Sequence, residues 1–283
     1  LSPRASISSG QLRRHALHSS YDLIFVGSDE VWKLGSFRGY DSAFFLDFVT
    51  EEVVKVSFAA SIGDSKTFGN HRSEISQALR QFGELSVRDE NTQLVLEREC
   101  RLASKRLLDP TFLVEFSQEI FGAPNPKLGT YFLIYGRLSE LELNVVQREA
   151  QRAGAVVIAV GDRNPGVAKN FVSAGPREWL GLLKGAAAVF TVYFHGVALA
   201  LNLMEVFTYL IGRTKREKIN QLKRDVRLST FPLDGLGSDR SSFAPTEFRY
   251  SSQSLAALEA ARVEAADFVR ASVSRVTRNS RQS

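Results

Sequence analysis

The sequence is poor in the residues that carry most metal and redox chemistry. Its one cysteine, Cys100, excludes a disulfide within the chain and a cysteine-rich zinc site. A single thiol in 283 residues is the usage of a reducing compartment. The four histidines, His15, His18, His71 and His195, lack metal-ligand spacing, so no metal is expected. No apolar run approaches the ~20 residues of a membrane span. The sequence also lacks G-x-G-x-x-G, the Walker A pattern and the G-x-S-x-G elbow. Standard dinucleotide binding, P-loop chemistry and the α/β-hydrolase nucleophile therefore find no support.

Acidic residues are missing from both ends. Residues 1–20 hold three arginines and residues 268–283 hold four, with no Asp or Glu in either. Without those seven arginines the formal charge of +5 becomes −2, so the basic pI belongs to the ends. No nucleic-acid partner is expected from a body of that charge. One internal basic cluster remains, beginning at GRTKREK with Arg213 and Lys215. The Ser- and Arg-rich opening fits an exposed connecting segment better than a transit peptide. The basic ends offer a means of peripheral association with an anionic membrane surface.

What is present is ordinary for a globular protein: 44 % hydrophobic and 24 % charged residues. YDLIFVG (21–27), VVKVSFAAS (53–61) and the start of LSVRDENTQLVLERE (85–99) read as buried strands. Asp89 is placed to cap the helix that follows. HRSEISQALRQF (71–82) has helical spacing, and RLLDPT (106–111) reads as a strand stopped by Pro110. FGAPNPKLG (121–129) reads as a linker. The alternation then restarts, with strands at 130–136, 155–161, 187–193 and 206–212. Helices are expected at 139–154, 175–186, 196–203 and 214–227, and a last one over about 252–276. This pattern predicts an α/β chain of two doubly wound domains facing a cleft, 1–120 and 121–250, followed by a helix and basic tail, 251–283.

Four strand ends carry candidate chemistry. VGSDEVW offers Gly27, Ser28 and Asp29 at a sharp turn. SVRDE ends a short strand with Arg88, costly there unless it is paired or lines a cavity. TVYFHG places His195 and Gly196 at the start of a small-residue helix, whose N-terminus favours an anion. Arg213 and Lys215 follow at the next strand end. Together His195, the helix N-terminus after it, Arg213 and Lys215 read as an anion pocket with a titratable group inside it.

YDLIFVGSDEVW, FFLDFV, KVSFAASIG, LSVRDENTQLVL, LLDPTFLV and GPREWLGLLKGAAAVFTVYFHGVALALNL, in this order over roughly residues 20–230, resemble the polysaccharide pyruvyl transferase family. The resemblance implies two Rossmann-like domains in a glycosyltransferase-B-like arrangement, whose first strand–helix unit is not visible in this sequence. It implies transfer of pyruvate from phosphoenolpyruvate, a co-substrate, onto two hydroxyls of a sugar or lipid-linked oligosaccharide, with no cofactor, in the cytoplasm at the inner face of the membrane. His195 and Arg88 are then the catalytic candidates. Arg88, Arg213, Lys215 and Gly196 bind the donor, and Gly27, Ser28 and Asp29 lie in the substrate cleft. The resemblance puts the acceptor on the N-terminal domain. Departures are Val192–Tyr193 before FHG, GSDEVWK for GSDQVWN-like text, and Glu205-Val206 where Lys-Pro is common. The alternatives are a nucleotide-sugar-dependent glycosyltransferase of the same architecture and a non-catalytic glycan-binding member.

Overall fold

In the computed structural model, which describes residues 21–35, 39–114, 128–203, 208–210, 216–227 and 251–279 with Gln11 and Arg14, every strand pairs in parallel with its neighbours. That is the geometry expected where buried apolar runs alternate with helices. The chain divides into two compact units, Leu1–Pro110 with Ala260–Ser283, and Thr111–Glu259. The boundary expected at residue 120 falls in 115–127, outside the described residues.

The first unit holds β1 (Leu23–Val26), β2 (Val54–Ala60), β3 (Glu84–Val87) and β4 (Lys105–Arg106) in the order β1-β2-β3-β4. All but one residue of β2 are buried, so both of its faces are covered. Helix α1 (Arg72–Leu79) turns Ile75 and Leu79 into the core beside Trp32, Phe45 and Phe68. Helix α2 (Glu90–Val95) runs on into a π-helical turn, Leu96–Cys100. Among the described residues these strands succeed one another in one direction, without the reversal of a doubly wound sheet.

The second unit does reverse. Its strands β5 (Tyr131–Tyr135), β6 (Val156–Val160), β7 (Lys169–Phe171), β8 (Ala188–Thr191) and β9 (Thr208–Leu210) run in the order β7-β6-β5-β8-β9. The chain moves outward from β5 to β7, then returns to the other side of β5 with β8. Leu133 and Ile134 alternate into two core clusters, one on each face. Helix α3 (Glu140–Arg152) opens with a Ser139–Glu142 capping box, and α4 (Pro176–Lys184) has proline in its first turn. Then come α5 (Phe194–Leu203) and α6 (Arg216–Asp225), with Ile219, Leu222 and Val226 buried as their spacing requires.

Three expectations change here. β7, a short polar-edged KNF, has no apolar run to announce it. Helix α5 begins at Phe194, so His195 belongs to its first turn instead of preceding it. The strand expected over 106–111 is confined to Lys105–Arg106. The last helix, α7 (Ser252–Asn279), covers the span expected for it. There Arg270 pairs with Asp267 at 2.6 Å, and Arg275 Nε donates to Glu84 at 2.9 Å, so part of the terminal charge is spent within the first unit.

Candidate functional site

Gly27 follows β1 with φ of 138°, and a Cβ there would run into the carbonyl oxygen of Phe58 on β2. Only glycine meets both conditions. The Gly27–Ser28 peptide is cis. The turn beyond is stitched to the end of β2: Ser61 N donates to Asp29 O at 3.1 Å, and Trp32 N donates to Ser61 O at 3.1 Å. Trp32 anchors it, fully buried, with its indole N–H on Phe44 O at 2.9 Å and its ring stacked on Phe45. Lys33 pairs with Asp64 at 2.5 Å, and this contact raises the lysine's pKa and lowers the carboxyl's.

β3 delivers two consecutive charges to opposite tasks. Asp89 caps α2, accepting from Thr92 N at 2.8 Å and from Ser61 Oγ at 2.5 Å. Arg88, buried, donates through Nη1 to Asp109 at 2.8 Å and through Nη2 to Asp29 at 3.3 Å. Asp109 is itself buried, whereas the Asp29 side chain is 65 % exposed. GSD, SVR and DPT, far apart in sequence, thus converge on one guanidinium. The sequence reading omitted Asp109, although DPT was among its matched stretches. Its signal is a carboxylate immediately before the proline that opens the turn Pro110–Phe112.

In the second unit β8 ends at Thr191, and the chain turns directly into α5. Thr191 Oγ1 accepts from Tyr193 N at 3.1 Å, and Val197 N donates to Tyr193 O at 3.4 Å, the first closed turn of the helix. A Cβ on Gly196 would lie 2.7 Å from Thr191 Cβ, so glycine lets α5 start hard against the strand. His195, half-buried, stands in that first turn with its ring edge-on to Phe194 at 5.6 Å. This is the carboxyl end of β8 beside β5, where the strand order reverses. Open α/β sheets bind ligands at such a switch point. Arg213 and Lys215 lie outside the described residues.

A model of the family described as polysaccharide pyruvyl transferase matches residues 2–203. The chain belongs to the polysaccharide pyruvyl transferase family. The match takes in Gly27, Ser28, Asp29, Arg88, Asp109, His195 and Gly196, and stops short of Arg213 and Lys215. A comparison with curated proteins finds none that matches. Among the described residues no cluster of side chains is arranged to hold a metal ion, and no helix is long and apolar enough to cross a membrane.

Proposed function

We propose that this transferase moves the pyruvyl group of phosphoenolpyruvate onto two hydroxyls of a sugar in a polysaccharide or its lipid-linked precursor, forming a ketal. The family membership carries the reading, and His195 at the switch point of the second sheet supports it. The glycosyltransferase-B-like arrangement belongs to the same proposal.

The reaction needs a proton on C3 of the enol, which becomes the methyl group and leaves C2 electrophilic. One sugar hydroxyl adds to C2 and loses its proton. The C2–O bond to phosphate breaks, and the second hydroxyl adds to close the ketal, its proton leaving with the departing phosphate. His195 serves as the proton carrier, giving one to C3 and recovering one from a hydroxyl. Imidazole suits this at neutral pH, and such catalysis contributes ~10²–10⁴-fold. The first-turn N–H of Gly196 and the α5 dipole favour the anionic donor, with Arg213 and Lys215 assigned to its phosphate. In the first unit, Arg88 is assigned a ligand carboxylate by exchange. Its contact to exposed Asp29 is the longer of its two, so a carboxylate replaces a carboxylate while Asp109 keeps the guanidinium in place.

Phosphate release from phosphoenolpyruvate against a panel of acceptor sugars tests the reading. Release of a nucleoside diphosphate from a nucleotide sugar would replace it with the glycosyltransferase alternative. Saturable glycan binding without either product would make the chain a binding protein. His195→Gln should lower turnover by at least ~10² while the melting temperature moves only a few degrees. Retained turnover in the folded variant would remove His195 from the chemistry.

A further inference from the structure

The same edge of the second sheet carries a group of side chains that the donor chemistry does not use. Tyr193, two residues before His195, is 37 % exposed. Its hydroxyl donates to Asp162 Oδ2 at 2.9 Å. Asp162 follows β6, so the bond spans the end of β5, the strand between β6 and β8. Tyr135 closes β5 and lies edge-on to Tyr193 with centroids 5.0 Å apart. Trp179 of α4 packs on Tyr135 at 4.8 Å. The three rings therefore touch in series, Tyr193 and Tyr135 from the carboxyl ends of adjacent strands and Trp179 from α4.

The backbone is shaped to accommodate it. Gly136 and Gly161, one residue past β5 and β6, have φ of 118° and 79°. A Cβ on Gly136 would strike Val192, and one on Gly161 would press on the Tyr135 ring at 3.3 Å. Packing alone accounts for Tyr135. It does not account for a tyrosine left over a third exposed, with its hydroxyl fastened to a carboxylate on another strand. Burial and the hydrogen bond to Asp162 push the Tyr193 phenol up to about 12, so it stays a donor throughout the working range. The bond occupies one oxygen of Asp162 and leaves the other to accept.

Aromatic carbon beside a carboxylate selects its own ligand class. An anion such as a phosphate or carboxylate is repelled by Asp162 and gains nothing from the rings. A neutral ring with an apolar C–H face and several hydroxyl donors satisfies both, the face against the rings and a hydroxyl on the carboxylate. That describes a pyranose. Resting on the pyruvyl-transfer reading, we propose that Tyr193 and Asp162 form the subsite that holds the acceptor sugar, in the second unit beside His195 and not in the first. Tyr193 supplies the stacking surface and Asp162 the hydroxyl acceptor. The hydroxyls to be bridged then lie on the same switch-point edge as the group that must take their protons.

The test needs no turnover, so its failure is separable from failure of the transfer chemistry. The full chain, without phosphoenolpyruvate, is titrated with methyl β-D-galactopyranoside, methyl β-D-glucopyranoside and methyl α-D-mannopyranoside. Adenosine and uridine serve as ring controls, and binding is read by saturation-transfer NMR. At least one glycoside should bind saturably and more tightly than either nucleoside. Asp162→Ala and Tyr193→Ala should each weaken it at least about tenfold. Tyr193→Phe, which keeps the ring, should weaken it less. If Tyr193→Ala does not fold, Asp162→Ala and Tyr193→Phe decide. The proposal is overturned if no glycoside binds, if a nucleoside binds more tightly, or if folded Asp162→Ala binds like the wild type.

Discussion

At the carboxyl edge of the first sheet an arginine is closed between two carboxylates, one buried and one exposed. At the carboxyl edge of the second, two residues before a histidine in a helix's first turn, a tyrosine packs edge-on against another and donates to a carboxylate. Both edges belong to parallel α/β sheets, yet they spend their residues differently. The first invests in a desolvated charge pair, whose geometry is fixed because leaving either member unpaired is costly. The second invests in surface that a ligand can share. A change at the first edge should therefore appear mainly as lost stability, and a change at the second mainly as altered recognition.

The sharpest way to break this contrast is at Asp109. Asp109→Ala takes the shorter of two carboxylate contacts from a buried guanidinium, and should cost about 3–5 kcal/mol in urea unfolding. Asp29→Ala, removing that exposed partner, should cost under about 1 kcal/mol. Equal losses would show that both contacts are structural and would end the exchange role given to Arg88.

That distinction was half legible in the sequence. Arg88 at a strand end reads as either paired or ligand-binding, and the chain alone offers no way to choose. Its partners Asp29 and Asp109 lie 59 and 21 residues away and meet only through the parallel register of β1, β3 and the segment after β4. The longer strands were readable, because a parallel strand buried on both faces must be an apolar run, whereas β4 and β7, short and partly exposed, carry no such signal. The Asp89 cap was readable because its bond is local, to Thr92 N. The start of α5 was not, since Tyr193–Phe194–His195 looks like strand by composition. Nor was the Tyr193–Asp162 bridge, which joins strands separated in space by a third.

A smaller effect separates two glycines. Gly27→Ala drives its Cβ at a backbone carbonyl, which cannot move aside, and should lower stability by roughly 1–3 kcal/mol. Gly161→Ala takes on the strain of a φ of 79° and meets the Tyr135 ring at 3.3 Å but no backbone, and should cost less in thermal melting while disturbing glycoside binding more. The reverse ranking would contradict the division between a structural edge and a recognition edge.

The smallest effect concerns pH. Burial pushes the Tyr131 phenol up to about 12, and its hydroxyl donates to Leu182 O at 2.8 Å. A folded-state pKa above the unfolded value of about 10 means that this contribution is complete below that pH and is lost as pH rises through 12. Tyr131→Phe should flatten the decline in stability over that window, measured by urea unfolding at stepped alkaline pH. An unchanged slope would place the alkaline sensitivity outside this part of the second unit.

Cys100 closes the π-helical turn after α2, buried, with its thiol pKa raised by that burial. For an experimenter it works as a clock. A thiol reagent added to the native protein waits until that turn opens, so the labelling rate reports local opening in the first unit. The same reticence leaves a silent background. A cysteine introduced at an exposed position of the second unit would take up a fluorophore first and alone, giving each unit its own reporter from a chain with one native thiol.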